Sequence, residues 1–227
     1  MEFVFLLIKT IPLTYTALLP VVNPIGCSVM FYSLTPEASR EHRKQVAKKI
    51  AFYTFVVLLV VLFGGVYILQ VFGISIPVIE VCGGLVIAVM GWDLLQQKEE
   101  SEAKEDASEK DDHPHGTAGN YIPQAFYPFT FPFTVGPGVL AVMLAVGAHV
   151  PSSDSTIGGV LEYAGASIGV ALMAMTVYFG YAYAERVVDK LTPDIRKVIM
   201  RILSFILLCI GGQIIWTGVL DLLKEVG

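Results

Sequence analysis

The sequence PVVNPIG at residues 20–26 and the sequence PFTVGPG at residues 132–138 lie inside long apolar runs in opposite halves of the chain. A proline inside a helix removes a backbone donor and clashes with the preceding turn, so carbonyl groups there lose their partners. Hydrocarbon cannot solvate these carbonyls, and such a break is tolerated only where protein or water satisfies them. Corresponding Gly/Pro interruptions in two halves of a membrane protein are typical of a solute site near the bilayer midplane. The two sequences therefore predict a transporter.

The composition is typical of an integral membrane protein. Of the 227 residues, 55% are hydrophobic and 15% are charged, and the mean hydropathy is +0.67. One crossing of the hydrocarbon takes about 20 apolar residues, and the chain offers several such runs. Eight of the twenty acidic residues lie between Glu99 and Asp112, so the net charge of −5 reflects one loop rather than a binding surface. This distribution argues against a nucleic-acid partner.

Uncharged apolar runs with charged flanks predict six membrane spans. They cover residues 4–34, 48–72, 76–96, 122–150, 157–184 and 198–222. The first and fourth runs are too long for one straight crossing, and each contains one of the two Pro/Gly sequences. We therefore expect spans one and four to be broken partway through the membrane. The predicted fold class is an all-α transmembrane protein.

The positions of Lys and Arg predict the orientation of the chain. Thirteen of the 15 basic residues follow span one, follow span three or surround the junction of spans five and six, and only Lys9 and Lys224 lie on the other side. Basic residues are in excess on cytoplasmic loops. We therefore expect both termini to lie outside a plasma membrane, that is, a bacterial inner membrane or another prokaryotic cell membrane.

The acidic stretch at residues 98–121 predicts a flexible cytoplasmic linker. It separates a first three-span repeat, residues 1–97, from a second, residues 122–227. Because three is an odd number, the second repeat enters the membrane in the opposite sense. Residues 23–26 can also be aligned with residues 136–139. Topology and sequence together favour two inverted three-helix repeats.

Three sequences in order carry a resemblance to a known family: LLPVVNP at residues 18–24, FGISIP at residues 72–77 followed by GGL, and PFTVGPG. With them the chain resembles the MarC family of six-span membrane proteins, which includes members assigned to transport of small neutral amino acids. The resemblance covers nearly the whole chain and implies a multi-pass membrane protein with a transport function. Glu80 stands where the family pattern usually has an arginine before the Gly-Gly of span three. The matching position in span six keeps Arg201.

The predicted substrate site combines the residues of the two breaks. It consists of Asn23, Pro24, Gly26, Thr134, Gly136, Pro137 and Gly138. The amide of Asn23 can replace missing backbone partners or hold the polar groups of a zwitterion. The hydroxyl of Thr134 can contact substrate or bond a carbonyl of the preceding turn. The glycines can expose amide donors at a half-helix N-terminus, which suits a carboxylate, or can serve close helix packing.

Three further polar residues inside the spans are candidates for coupling or gating. Glu80 can carry a coupling proton or form an interfacial salt bridge. Arg201 can take part in gating or extend its side chain to the membrane surface. Gln213 can line the solute path in span six.

The sequence therefore predicts a secondary transporter or exporter of small neutral solutes, which by resemblance are neutral amino acids. A proton or a sodium ion is the expected coupling ion, membrane lipids are expected neighbours, and a homo-oligomer remains open. No Walker loop, HExxH motif or dinucleotide fingerprint is present, so we expect no enzyme activity, no catalytic residues, no metal and no cofactor. The alternative is an intramembrane lipid-handling or enzymatic protein without transport activity.

Overall fold

The fold is known from a computed structural model, which describes residues 2–101, 120–149, 156–190 and 192–226. Within these ranges the chain forms eight α-helices and no strand. They are α1 (Glu2–Val22), α2 (Pro24–Leu34), α3 (Arg40–Val71), α4 (Ile76–Ser101), α5 (Pro137–His149), α6 (Thr156–Ala182), α7 (Ala184–Lys190) and α8 (Pro193–Val226). An irregular helical segment, Pro123–Thr134, precedes α5.

Six stretches of the described residues are candidate membrane spans by length and composition. Four are single helical stretches: Arg40–Val71, Ile76–Asp93, Ile157–Ala182 and Ser204–Lys224. The other two are bent pairs. Leu6–Val22 and Pro24–Leu34 meet at 42°, and Pro123–Thr134 and Pro137–Ala148 meet at 71°. The prediction of an all-helical transmembrane protein is confirmed. The six predicted spans correspond to the four single stretches and, if each bent pair is counted as one span, the two bent pairs, whose bends coincide with the two Pro/Gly sequences.

Helices α3, α4 and α8 continue past the limits that the apolar runs predict. Helix α3 begins at Arg40 rather than at residue 48, and α4 continues to Ser101 rather than ending at residue 96. The reason is that charged side chains end an apolar run without ending the backbone hydrogen bonds of a helix. At the start of α3 the Ser39 hydroxyl accepts a bond of 3.2 Å from the His42 amide, as an N-cap does. The predicted linker thus begins as helix, and residues 102–119 of it lie outside the described residues.

Helices α4 and α8 pack with their backbones in contact. A Cβ atom at Gly84 would lie 2.7 Å from the carbonyl oxygen of Gly211, and one at Gly218 would lie 2.8 Å from the carbonyl oxygen of Pro77. No side chain fits at these distances, so close packing requires glycine here. The contacts run in opposite directions along the two helices, which are therefore antiparallel.

Helix α6 packs on α1 and α3 and forms the centre of the remaining bundle. In the contact between α1 and α6, Gly165 faces Thr10 and Gly169 faces Thr14, so the residue numbers of both helices rise in the same direction. Helices α1 and α6 are therefore parallel. Near the start of α3, Nε2 of His42 accepts a 3.0 Å bond from the amide of Tyr121.

Candidate functional site

The first break is centred on Asn23, between α1 and α2. Asn23 has φ 46° and ψ 63°, a left-handed conformation that asparagine adopts more readily than most residues. Its side-chain Oδ1 accepts a 3.1 Å bond from the amide of Gly26, and Pro24 occupies the first position of α2, where a missing amide is tolerated. Asn23 therefore caps α2, which is the helix-repair alternative that the sequence left open.

The second break contains the tandem sequence YPFT-FPFT at residues 127–134. Tyr127 and Phe131 are extended, with φ and ψ of −122° and 125° and of −118° and 127°. A residue before proline is driven out of the helical region by the proline ring. The helix is therefore interrupted twice at an interval of four residues, and the chain then bends into α5.

Two threonines of the tandem sequence satisfy carbonyls that the interruptions free. Thr130 Oγ1 donates to the carbonyl of Ala125 at 2.7 Å, and Thr134 Oγ1 lies 2.6 Å from the carbonyl of Phe129. Both threonine side chains are buried. Thr134 therefore bonds a carbonyl of the preceding turn, as the sequence allowed, although the turn is one residue wider than in a regular α-helix.

The two breaks contact each other. The thiol of Cys27 in α2 lies 3.2 Å from the carbonyl oxygen of Val22 and 4.0 Å from that of Phe133 in the second break. A Cβ atom at Gly138 would lie 3.4 Å from Val21 Cγ1 in the first break. The sequence predicted that the two Pro/Gly segments form one site, and the structure brings them together.

Tyr181 of α6 links the two breaks. Its hydroxyl shares a 2.8 Å hydrogen bond with Thr134, and its ring stacks on Phe31 of α2 with 4.8 Å between centroids. Phe31 in turn meets the ring of Phe129 edge to face at 5.3 Å. Tyr181 and Phe31 are fully buried. Tyr181 was not among the predicted site residues, because no motif marks a tyrosine whose partners lie far away in the chain.

The start of α2 and the end of α6 are in close contact. The Ser28 hydroxyl donates a 2.5 Å bond to the carbonyl of Pro24. A Cβ atom at Gly180 would lie 2.5 Å from this hydroxyl and 3.4 Å from the Pro24 carbonyl. The absence of a side chain at Gly180 therefore allows Tyr181 to reach the breaks, and a glycine directly before the tyrosine is the one sequence signal that could have marked it.

The other residues of the predicted substrate site lie along the same contact. Pro24, Gly136 and Gly138 are buried, Asn23 and Gly26 are half-buried, and Pro137 is exposed. A Cβ atom at Gly136 would lie 3.0 Å from the carbonyl oxygen of Pro132, inside the break. Residues 18–34 and 129–140 contain no charged side chain. The two segments are thus themselves uncharged and offer hydroxyl, thiol and backbone groups.

A model of MarC family integral membrane proteins matches residues 8–223 of the chain. The chain belongs to the MarC family. The inner membrane protein MarC of Escherichia coli O1:K1 is 30% identical over 222 residues, which cover 96% of this chain and 97% of that protein. The inner membrane protein MarC of Citrobacter koseri is 31% identical over 228 residues, with the same two shares. No solved structure matches the chain.

The coupling and gating candidates of this MarC-family protein lie apart from the breaks, on the α4 and α8 pair. Glu80 is 3% exposed, and its Cβ lies 2.8 Å from where a Cβ at Gly218 would be. It is therefore buried at a helix contact rather than at a solvated interface. Arg201 and Gln213 are exposed on α8. The structure does not bring the three together.

A second buried carboxylate lies in α6 and was missed by the sequence reasoning. Glu162 is 4% exposed and lies within the candidate span Ile157–Ala182. Its position in the predicted fifth span was a sufficient signal, because charged residues inside spans are rare and functional by default. Among the described residues of this MarC-family chain, two acids are buried, one in each half.

An open groove of about 560 Å³ runs along α3. It is lined by Gln45, Lys48, Lys49, Phe52, Tyr53 and Ile122. None of these residues belongs to either break, and the groove is therefore separate from the candidate substrate site of this family member.

Proposed function

We propose that this MarC-family protein is a secondary transporter of small neutral solutes, neutral amino acids in particular, in the inner membrane. The observation that carries the proposal is the contact between the two broken spans, in which Cys27 Sγ lies 4.0 Å from the Phe133 carbonyl. Paired broken spans supply backbone polar groups inside the membrane, which is how many transporters hold a solute. A protein that only anchored a partner would not need such breaks.

The chemistry of the breaks supports a substrate without net charge. No charged side chain lies in residues 18–34 or 129–140, and the start of α5 supplies helix N-terminal amides, whereas at the start of α2 the Gly26 amide already bonds Asn23 Oδ1. Such amides carry partial positive charge and suit a carboxylate. The carbonyls and hydroxyls beside them, among them Thr134, suit an ammonium group. A small zwitterionic amino acid combines both groups in one molecule.

The proposed mechanism is alternating access between two inverted three-helix repeats, with both termini outside and the acidic linker in the cytoplasm. In such a topology spans one and five run in the same sense and spans three and six in opposite senses. The parallel pair of α1 and α6 and the antiparallel pair of α4 and α8 agree with six alternating crossings, which this topology shares with any six-span chain. Opening toward one side would separate Tyr181 from Thr134, whose hydroxyls now share a 2.8 Å bond.

Flux measurements test the proposal. Purified protein in liposomes is assayed for counterflow of labelled alanine, glycine and serine, and for accumulation under imposed proton or sodium gradients. We expect saturable counterflow, and accumulation with one of the two gradients identifies the coupling ion. Absence of flux for all three solutes in folded protein would contradict the amino acid substrate, and labelled-phospholipid transfer in the same vesicles would then support the lipid-handling alternative.

A further inference from the structure

One polar side chain occupies an unusual position on the outer face of α8. Gln213 lies near the centre of the 21-residue candidate span Ser204–Lys224, and it is exposed. Its backbone carbonyl accepts a 3.0 Å bond from Thr217 Oγ1, but its side-chain amide makes no hydrogen bond with the described residues. The amide therefore faces outward at the middle of an apolar helix.

Lipid cannot satisfy this amide. The side chain of glutamine carries two N–H donors and one carbonyl acceptor, and hydrocarbon tails supply no partner for either. Polar residues at this depth almost always face protein or a water-filled cavity. The arrangement therefore requires a partner that a single copy of the chain does not provide among its described residues.

The surface around Gln213 is shaped for a second helix. Cys209, one turn earlier, is exposed. Gly212 is exposed as well, and a Cβ atom there would meet nothing within 4 Å. Small residues beside a polar one allow helix backbones to approach and the polar group to bond across the contact. Trp216, 60% exposed, adds a large apolar ring on the same face.

We propose that the protein forms a homodimer in the membrane through this face of α8, with the Gln213 amides of the two copies hydrogen-bonded to each other. A primary amide complements itself, because the N–H of one copy can meet the carbonyl of the other twice. The membrane holds all copies in one orientation, so identical faces meet about a two-fold axis along the membrane normal. The breaks remain within each copy, and this inference does not depend on the transport proposal.

Cross-linking at a native cysteine tests the geometry. The Cys82→Ala variant leaves Cys209 as the single exposed thiol, since Cys27 is only partly exposed and points into the breaks. Mild oxidation in native membranes is expected to produce a disulfide-linked species of twice the monomer mass, and the double variant Cys82→Ala/Cys209→Ala is expected to lose that species. If the Cys82→Ala variant stayed monomeric after oxidation of the membranes, the proposal would be overturned.

Substitution of Gln213 tests the chemistry. Subunit counting by single-molecule photobleaching is carried out in liposomes over a range of protein-to-lipid ratios. Gln213→Leu is expected to weaken association by about tenfold or more, which corresponds to loss of a paired polar contact. Gln213→Asn keeps an amide and is expected to keep most of the association.

The matched control is Gln70→Leu, which removes an exposed glutamine near the end of α3 and is expected to leave association unchanged. Circular dichroism and elution volume confirm that each variant is folded. Wild-type protein that stays monomeric at all ratios, or a Gln213→Leu variant that associates as well as wild type, would overturn the proposal.

Discussion

The hydroxyls of Tyr181 and Thr134 share a hydrogen bond of 2.8 Å, which joins α6 to the second broken span. The Tyr181 ring also stacks on Phe31 of α2. One residue of an unbroken helix thus holds both broken spans. Any motion that opens the contact between the breaks must change at least one of these two interactions, which makes Tyr181 the first position to test.

Tyr181→Phe removes the hydroxyl and keeps the ring. We expect a loss of about 1 kcal/mol in the free energy of unfolding, the usual net value of one hydrogen bond, because Thr134 retains its 2.6 Å contact with the Phe129 carbonyl. Counterflow should change by a larger factor than stability, since the bond lies at the proposed opening. The control is Tyr178→Phe on the same helix. If both variants transported like wild type, Tyr181 would have only a packing role.

Gly180→Ala tests the close contact between α6 and α2. The added methyl would lie 2.5 Å from Ser28 Oγ, and we expect overpacking to cost about 1–3 kcal/mol of stability and to reduce counterflow strongly. The matched control is Gly159→Ala on the same helix, where a Cβ meets nothing within 4 Å. There the better helix propensity of alanine should stabilise by up to about 1 kcal/mol. Thermal unfolding and counterflow are measured for both variants. If Gly180→Ala changed stability and counterflow no more than Gly159→Ala does, the close contact between α6 and α2 would be contradicted.

Substitutions of Asn23 separate its backbone role from its side-chain role. Asn23→Gly keeps the left-handed conformation and loses the bond to the Gly26 amide, whereas Asn23→Ala also places a Cβ in an unfavourable region. We expect the free energy of unfolding of Asn23→Ala to be lower than that of Asn23→Gly by about 1 kcal/mol. Both should weaken substrate binding, because both lack the amide. If the folded variants took up labelled alanine with the KM of wild type, Asn23 would not belong to the substrate site.

The two buried acids give a prediction about coupling. Glu80→Gln removes the titratable carboxyl group from a side chain that is 3% exposed and keeps its volume. We expect it to abolish accumulation driven by a proton gradient while leaving counterflow, which needs no gradient, intact. Glu162→Gln is the comparison, because loss of gradient-driven accumulation in this variant alone would assign the proton to the second buried acid. Gradient-driven accumulation that persists in Glu80→Gln would exclude Glu80 as the proton carrier.

The spans and the breaks could be predicted because they depend on local properties of the chain. Hydropathy sets the length of a span, and the proline and glycine of residues 20–26 and 132–138 act on the turns beside them. The predicted helix ends were less accurate, as at Arg40, because a charged residue ends an apolar run in the sequence without ending the helix. The serine cap at position 39 was the better signal.

The packing of the candidate site was beyond sequence reasoning for a different reason. The bond between Thr134 and Tyr181 and the contact of Cys27 with the Phe133 carbonyl join residues that are far apart in the chain. Neither pair carries a recognisable spacing. The face of a helix that a polar residue occupies is likewise set by tertiary packing. This is why the sequence did not predict that Gln213, a candidate for lining a solute path, is exposed on α8.

The most direct measurement of the central claim is alanine counterflow in liposomes that contain wild-type protein, Gly159→Ala, or the double variant Asn23→Ala/Thr134→Val, which alters both breaks. The account predicts saturable exchange for wild type and Gly159→Ala, and exchange no faster than in empty liposomes for the double variant, with all three proteins folded. Equal exchange by the double variant and wild type would contradict a solute site at the two breaks.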